Sequence, residues 1–230
     1  MDDANSPRRH ERDEPAGHPD PPVVRLREAV AVLGRFPALA GLDLRVDRGE
    51  VVLLAGPNGA GKTTVLQVCA GLVAVVEGEA EVLGVDLRND RRSIRRRVGL
   101  VGHAAGLYPE LTVHENVAFW AKAAGASEAE GNAALERLEI ASRLRDLPVR
   151  ALSAGQRRRV SFASVLARRP ELWLLDEPHT GLDASGRDLV DNLIAEASAA
   201  GATVLFASHE ADRASAVATR TVSLAGGVAT

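Results

Sequence analysis

One cysteine, Cys69, is all the chain has, so no intramolecular disulfide can form, and that usage fits a reducing compartment. Aromatics are scarce at 3% of 230 residues. Of the 28 basic residues only two are lysines, Lys62 and Lys122, in a chain otherwise rich in arginine, alanine and valine. That bias reads as the codon usage of a GC-rich genome and not as function, which makes Lys62 worth attention. Long apolar runs are missing too. The nearest approach, Val65 to Val76, is broken by Gln67 and stopped by Glu77, well short of the roughly 18 residues a membrane span needs. Residues 1–22 are charged and proline-rich with no apolar stretch, so no secretory signal is expected and the cytosol is the expected compartment. Nor is there an excess of positive charge. The formal net charge of −3 argues against general nucleic-acid binding.

What is present is ordinary for a soluble globular chain, with 46% apolar and 26% charged residues. Residues 1–22 lack periodicity and read as a disordered tail; from Val23 to residue 230 the chain reads as one folded unit. Apolar runs ending in glycine or a polar turn predict strands at Gly49–Gly56, Gly78–Gly84, Val98–Gly102, Leu172–Asp176 and Thr203–Ser208. Helical patterns lie between them, as in Gly186–Ala199, where Leu189/Leu193 and Val190/Ile194 share one face. The alternation predicts an α/β fold with a mainly parallel sheet core. It is interrupted from about Leu107 to Arg169, where Val113–Ala124, Glu128–Leu138 and Ser153–Arg169 predict a helical insert.

Gly56-Pro57-Asn58-Gly59-Ala60-Gly61-Lys62-Thr63, followed by Thr64, fits G-x-x-x-x-G-K-[ST] between the apolar strand Val51–Ala55 and a helix. Glycines let successive backbone N–H groups curl around a phosphate at a helix N-terminus. In such a loop Lys62 reaches the β- and γ-phosphates, and the Thr63 hydroxyl ligates Mg²⁺. Many kinds of enzyme share this loop, so it assigns a nucleotide and not a task. Downstream, Leu172–Leu175 delivers Asp176 and Glu177 to the C-terminal end of a strand, where open parallel sheets place ligands. Adjacent residues on a strand point to different sides. Asp176 is therefore assigned to the metal and Glu177 to polarising the attacking water. Ser153 in Leu152-Ser153-Ala154-Gly155-Gln156 reads as a helix N-cap.

Taken in order, Gly56–Thr63, Leu152–Gln156, Leu175–Glu177, Thr180-Gly181-Leu182-Asp183 and His209 resemble the five motifs of an ABC-transporter ATPase: Walker A, signature, Walker B, D-loop and switch histidine. The resemblance spans about residues 23–230. It implies a P-loop NTPase that binds ATP with Mg²⁺ and forms a head-to-tail dimer, expected to be homomeric. Ser153, Ala154, Gly155 and Gln156 of one subunit would meet the ATP held by the other, across the Asp183 loop. Lys62, Glu177 and His209 would act at the γ-phosphate, and a separate integral-membrane subunit would dock on the helical insert.

Two positions depart from that pattern. The family's glutamine after Val98–Gly102 is replaced by His103, either a water-positioning imidazole or simply a loop residue. The usual adenine-stacking tyrosine falls near Leu33, leaving Phe36 either to stack on the base or to pack. The loops Val101–Tyr108 and Leu152–Val160, with Ala154 in place of glycine, resemble haem-exporter ATPases of cytochrome c biogenesis (the CcmA type). That resemblance implies haem-pathway partners and a peripheral place on the cytoplasmic face of the inner membrane. A drug or polysaccharide exporter ATPase shares every ATP motif. A soluble assembly ATPase of the same superfamily is the reading from another class. The arginine-rich Arg91–Arg97 is either a solvated helix face or a contact for anionic lipid.

Overall fold

Three apolar runs dictate the centre of the molecule. In the computed structural model, which describes residues 21–102 and 106–230, Val51–Ala55 (β3), Leu172–Asp176 (β7) and Thr203–Ala207 (β8) are buried almost throughout. Strands without an exposed face belong inside a parallel sheet covered on both sides. They lie side by side, β3 parallel to β8 and β8 parallel to β7. Val98–Val101 (β6) extends the sheet beyond β7, and Arg220–Ala225 (β9) extends it beyond β3. Val228–Ala229 (β10) turns back antiparallel on β9, which gives the order β10-β9-β3-β8-β7-β6.

A second sheet was not expected. Val24–Leu33 (β1), Phe36–Val46 (β2), Val75–Val82 (β4) and Val85–Asp86 (β5) form an antiparallel sheet in the order β2-β1-β4-β5. The strand expected near Gly78–Gly84 is therefore β4, in this sheet and not in the parallel core. β1 and β2 escaped the alternation rule because their register slips. Glu28 sits at φ 46° in a bulge between Leu26 and Ala29, which shifts the inward-facing set by one residue.

The parallel sheet divides two cores, and β7 feeds both. Leu172 and Leu174 face the core shared with β1, β2, β4 and Lys62–Cys69 (α1); Trp173 and Leu175 face the core shared with the helices. After the short Leu87–Asp90 (α2), the helices Val113–Ala124 (α3), Glu128–Arg137 (α4), Ser142–Arg145 (α5) and Ala154–Leu166 (α6) fill the stretch between β6 and β7. Thr112/Glu115, Ser127/Glu130 and Ser153/Gln156 close reciprocal capping boxes that start α3, α4 and α6. Ala184–Ala199 (α7) covers β8 and touches the seven-residue Ala211–Val217 (α8). No helix among the described residues is long and apolar enough to cross a membrane.

Candidate functional site

The loop after β3 owes its shape to glycine. Gly56, Gly59 and Gly61 sit at φ 144°, 81° and 100°. A side chain on Gly56 would come within 2.3 Å of the Leu224 carbonyl, and one on Gly61 within 2.8 Å of the Ala38 carbonyl. The left-handed backbone and the close approach exclude other residues there. The β9–β10 turn braces the loop from behind: the Gly227 N–H donates to the Ala60 carbonyl at 3.2 Å, and the Ala40 N–H donates to the Gly227 carbonyl at 3.1 Å. Lys62 Nζ folds back over the loop and donates to the carbonyls of Gly56 and Pro57 at 2.7 and 2.9 Å. Pro57 and Asn58 are exposed on the loop, whereas Thr64 is buried behind it.

Sequence separation collapses at the next contact. Thr63 Oγ1 donates to Asp176 Oδ2 at 2.9 Å, bringing together the hydroxyl and the strand-end carboxylate assigned to the metal. Glu177 leaves the strand in the left-handed region at φ 51°, and its Oε2 accepts from the His209 backbone N–H at 3.1 Å. His209 Nδ1 lies 2.6 Å from the same oxygen, so the expected water-polarising carboxylate and switch histidine are hydrogen-bonded partners.

Sequence reasoning missed what holds this turn. Arg158 of α6 is buried and donates through Nη2 to the carbonyls of Asp176 and Glu177 at 2.7 and 2.6 Å. It also reaches Pro178 through Nε at 3.3 Å and Gly102 through Nη1 at 2.7 Å. Burial lowers the guanidinium pKa, while the charges of Asp176 and Glu177 oppose that shift. The flat fork of arginine suits several carbonyls at once. The run Arg157–Arg159 was visible in the sequence, and the phase of α6 selects which member turns inward.

Ser153 caps α6 by accepting from the Gln156 N–H at 3.2 Å, while Gln156 Oε1 accepts from the Ser153 N–H at 2.9 Å. Gly155 lies so close to residue 181 that a side chain would meet the Gly181 carbonyl at 2.8 Å. This segment, with Ala154, therefore packs on the Thr180–Asp183 loop. Asp183 caps α7 by accepting from the Gly186 N–H at 2.9 Å, which holds its carboxyl below the usual range. Ile140, Leu144, Ser153, Arg159, Leu182 and Asp183 border an open cavity of about 560 Å³ beside the N-terminus of α6. Phe36 stands 79% exposed at the head of β2, so its ring does not pack into the core. His103 lies outside the described residues.

Comparison with known proteins agrees with this arrangement. Residues 39–180 match the family model described as ABC transporter. The cytochrome c biogenesis ATP-binding export protein CcmA of Rhodospirillum rubrum is 39% identical over 196 residues, 85% of this chain and 84% of the relative. The cobalt import ATP-binding protein CbiO of Rhodobacter capsulatus is 41% identical over 195 residues, 81% of this chain and 69% of that one. Among solved structures, the dimeric post-hydrolysis ATP-binding cassette MJ0796 bound to ADP and Pi superposes with a TM-score of 0.80 at 27% identity, covering 90% of this chain and 96% of that one. With a glycine loop on β3, a carboxylate pair on β7 and a histidine beyond β8 in one place, the chain belongs to the ABC transporter family as a CcmA-like ATP-binding subunit that hydrolyses ATP.

Proposed function

We propose that this chain is the motor subunit of a haem exporter serving cytochrome c biogenesis. In this reading it works as a head-to-tail homodimer docked on a separate integral-membrane subunit, peripheral to the cytoplasmic face of the inner membrane. The observation that carries the cargo is the similarity to the cytochrome c biogenesis export protein along most of both chains. The cobalt-import relative favours a second reading with the same motor and a metal-ion cargo.

The residue roles follow from charge and reach. On phosphate binding, Lys62 Nζ exchanges two neutral carbonyl acceptors for phosphate oxygens, a stronger charge-assisted contact. Backbone N–H groups of the loop 56–64, to which Pro57 contributes none, cradle the phosphate chain, and exposed Phe36 offers a face to the base. Thr63 and Asp176 present hard oxygen donors, which fit Mg²⁺. Phosphate and water oxygens would complete such a site. Bound there, Mg²⁺ would neutralise charge on the phosphates. Glu177 polarises the attacking water and His209 orients Glu177. Ser153–Gln156 offer an uncharged helix N-terminus to the partner's γ-phosphate.

Docking of a membrane subunit is supported by an exposed aromatic patch on the helical stretch. Tyr108, Phe119 and Trp120 pack edge-to-face or stacked at 5.1 to 6.3 Å, and the Arg168 guanidinium lies 5.5 Å from the centre of Trp120. The test is a pull-down with tagged Glu177→Gln protein, expected to keep ATP and a closed dimer, solubilised in mild detergent and analysed by mass spectrometry. Recovery of a multi-span subunit together with cytochrome c maturation proteins is the expected result. Recovery of a cobalt or other permease keeps the motor and overturns the cargo. Recovery of no membrane protein overturns the transporter reading in favour of a soluble assembly ATPase.

A further inference from the structure

Helix α8, which begins two residues after His209, has little to hold it. Seven residues is far below the roughly 12 to 15 at which a lone helix becomes marginally stable, and only Ala214 is buried. Apart from Ala214 and the partly buried Val217, which rest on the core, its place depends on polar ties. Arg213 is the main one: it pairs with Asp191 of α7 through Nη1 and donates to Asp188 through Nη2 at 3.0 Å. Arg187 adds a looser pair with Glu210 at 3.5 Å.

Asp191 is shared. Its other oxygen, Oδ1, lies 2.8 Å from Nε2 of His179, which is 1% exposed. A carboxylate accepts, so Nε2 carries the hydrogen. The Nδ1 atom of His179 has no hydrogen-bond partner among the described residues, so the whole polar engagement of this buried ring is with Asp191. His179 stands two residues after Glu177, in paired turns where the Thr180 N–H donates to the Glu177 carbonyl and the Leu182 N–H to the His179 carbonyl, each at 3.2 Å. The acidic turn and the segment carrying His209 are thus joined twice. One joint is Glu177 to His209, where the histidine side chain is 67% exposed. The other runs behind it, from His179 through Asp191 to Arg213.

We propose that His179 is a positioning residue for ATP hydrolysis. Through Asp191 and Arg213 it fixes α8 against the acidic turn, and so fixes His209 against Glu177. An exposed hydrogen bond competes with water and does not set its own geometry; the second joint is anchored at its His179 end, where the ring is sheltered from that competition. The inference needs only the ATPase, so it stands or falls independently of cargo and partner.

The experiment compares the full-length protein with His179→Ala, His179→Gln, His209→Ala and the double alanine variant. His179→Ala should lower kcat by about 10-fold with KM for ATP within about twofold, the size of effect a small misplacement produces. His179→Gln, whose amide N–H reaches about where Nε2 does, should restore most of the rate. In the His209→Ala background the His179→Ala change should cost little more, because the two act in series. Multiplying losses, a rise in KM equal to the fall in kcat, or an unchanged rate overturns the proposal. A readout independent of turnover is the ¹⁵N chemical shift of His209 Nδ1. It should move in His179→Ala toward its value in Glu177→Gln, and an unmoved shift in a folded variant likewise overturns the proposal.

Discussion

Arg158 shows how much of an ATP site is built by a side chain that needs no contact with nucleotide. Glu177 sits in a left-handed conformation that costs an L-residue about 1–2 kcal/mol. The guanidinium offsets this by binding the carbonyls on both sides of it. Arg158→Ala takes a donor from each of those carbonyls, although that of Glu177 keeps the Thr180 N–H, and should destabilise the fold by about 3 kcal/mol in urea denaturation. Arg158→Lys should recover little of that, since an ammonium lacks the planar fork. The contrast with the glycine loop explains what was legible at this scale. Gly56 to Thr63 are contiguous, so their spacing alone carried the chemistry. Arg158 is one of three adjacent arginines, and only helix phase and the position of Gly102, far away in sequence, distinguish it. His179 was illegible for the same reason, because its partner Asp191 lies on α7 and the arginine beyond it on α8.

Capping decides where several elements begin, and it makes them sensitive to acid. Glu115 and Glu130 accept from the backbone and hydroxyl of Thr112 and Ser127, which holds both carboxyls below the ordinary value of 4.5. A carboxyl whose folded pKa is depressed adds stability that is complete above its unfolded pKa and is lost as pH falls through the folded one. The starts of α3 and α4 should therefore lose amide-exchange protection as the medium is acidified below about pH 4.5, before the parallel sheet does. Glu115→Gln, which keeps the hydrogen bonds without the charge, should flatten that dependence for α3. The helical patterns Val113–Ala124 and Glu128–Leu138 placed these helices close to their observed bounds, whereas of the caps only Ser153 was singled out in the sequence. The β9–β10 turn was not legible: its two glycines mark a turn without saying what the turn touches. A side chain on Gly227, at φ 82°, would press on the Ala38 carbonyl at 2.9 Å. Gly227→Ala should cost about 1–2 kcal/mol and weaken binding of a fluorescent ATP analogue, although the residue supports the loop only from behind.

At the scale of the whole molecule, the lone cysteine becomes a reporter. Cys69 at the end of α1 is fully buried, and burial pushes its thiol up to about 12. It should resist a thiol reagent at pH 8 until the core opens, and saturating ATP should slow labelling by the factor that binding adds to the opening equilibrium. Labelling at the rate of an unfolded control would contradict this burial. The α/β class and strands β3, β6, β7 and β8 were legible because buried strands have continuous apolar runs, whereas half-exposed β9 was not. The antiparallel sheet was not, since a bulge at Glu28 breaks the alternation in β1 and a slipping register hides its pairing with β2.

The strand order also constrains how the protein can be made. β3, which aims the phosphate loop, leaves the ribosome early, yet its two neighbours are β8 and β9, synthesised some 150 residues later. Pairings so distant in sequence close late. A growing chain therefore holds a finished glycine loop on a strand that has nothing to pair with, and the cell's ATP cannot help such a chain fold by binding it. Nascent chains stalled just after Ala199 should be cut by protease equally fast with and without ATP. Chains long enough to expose residues through Ala225 should gain protection from the nucleotide. Until those last strands emerge, the substrate that later steadies this protein has no finished site to bind.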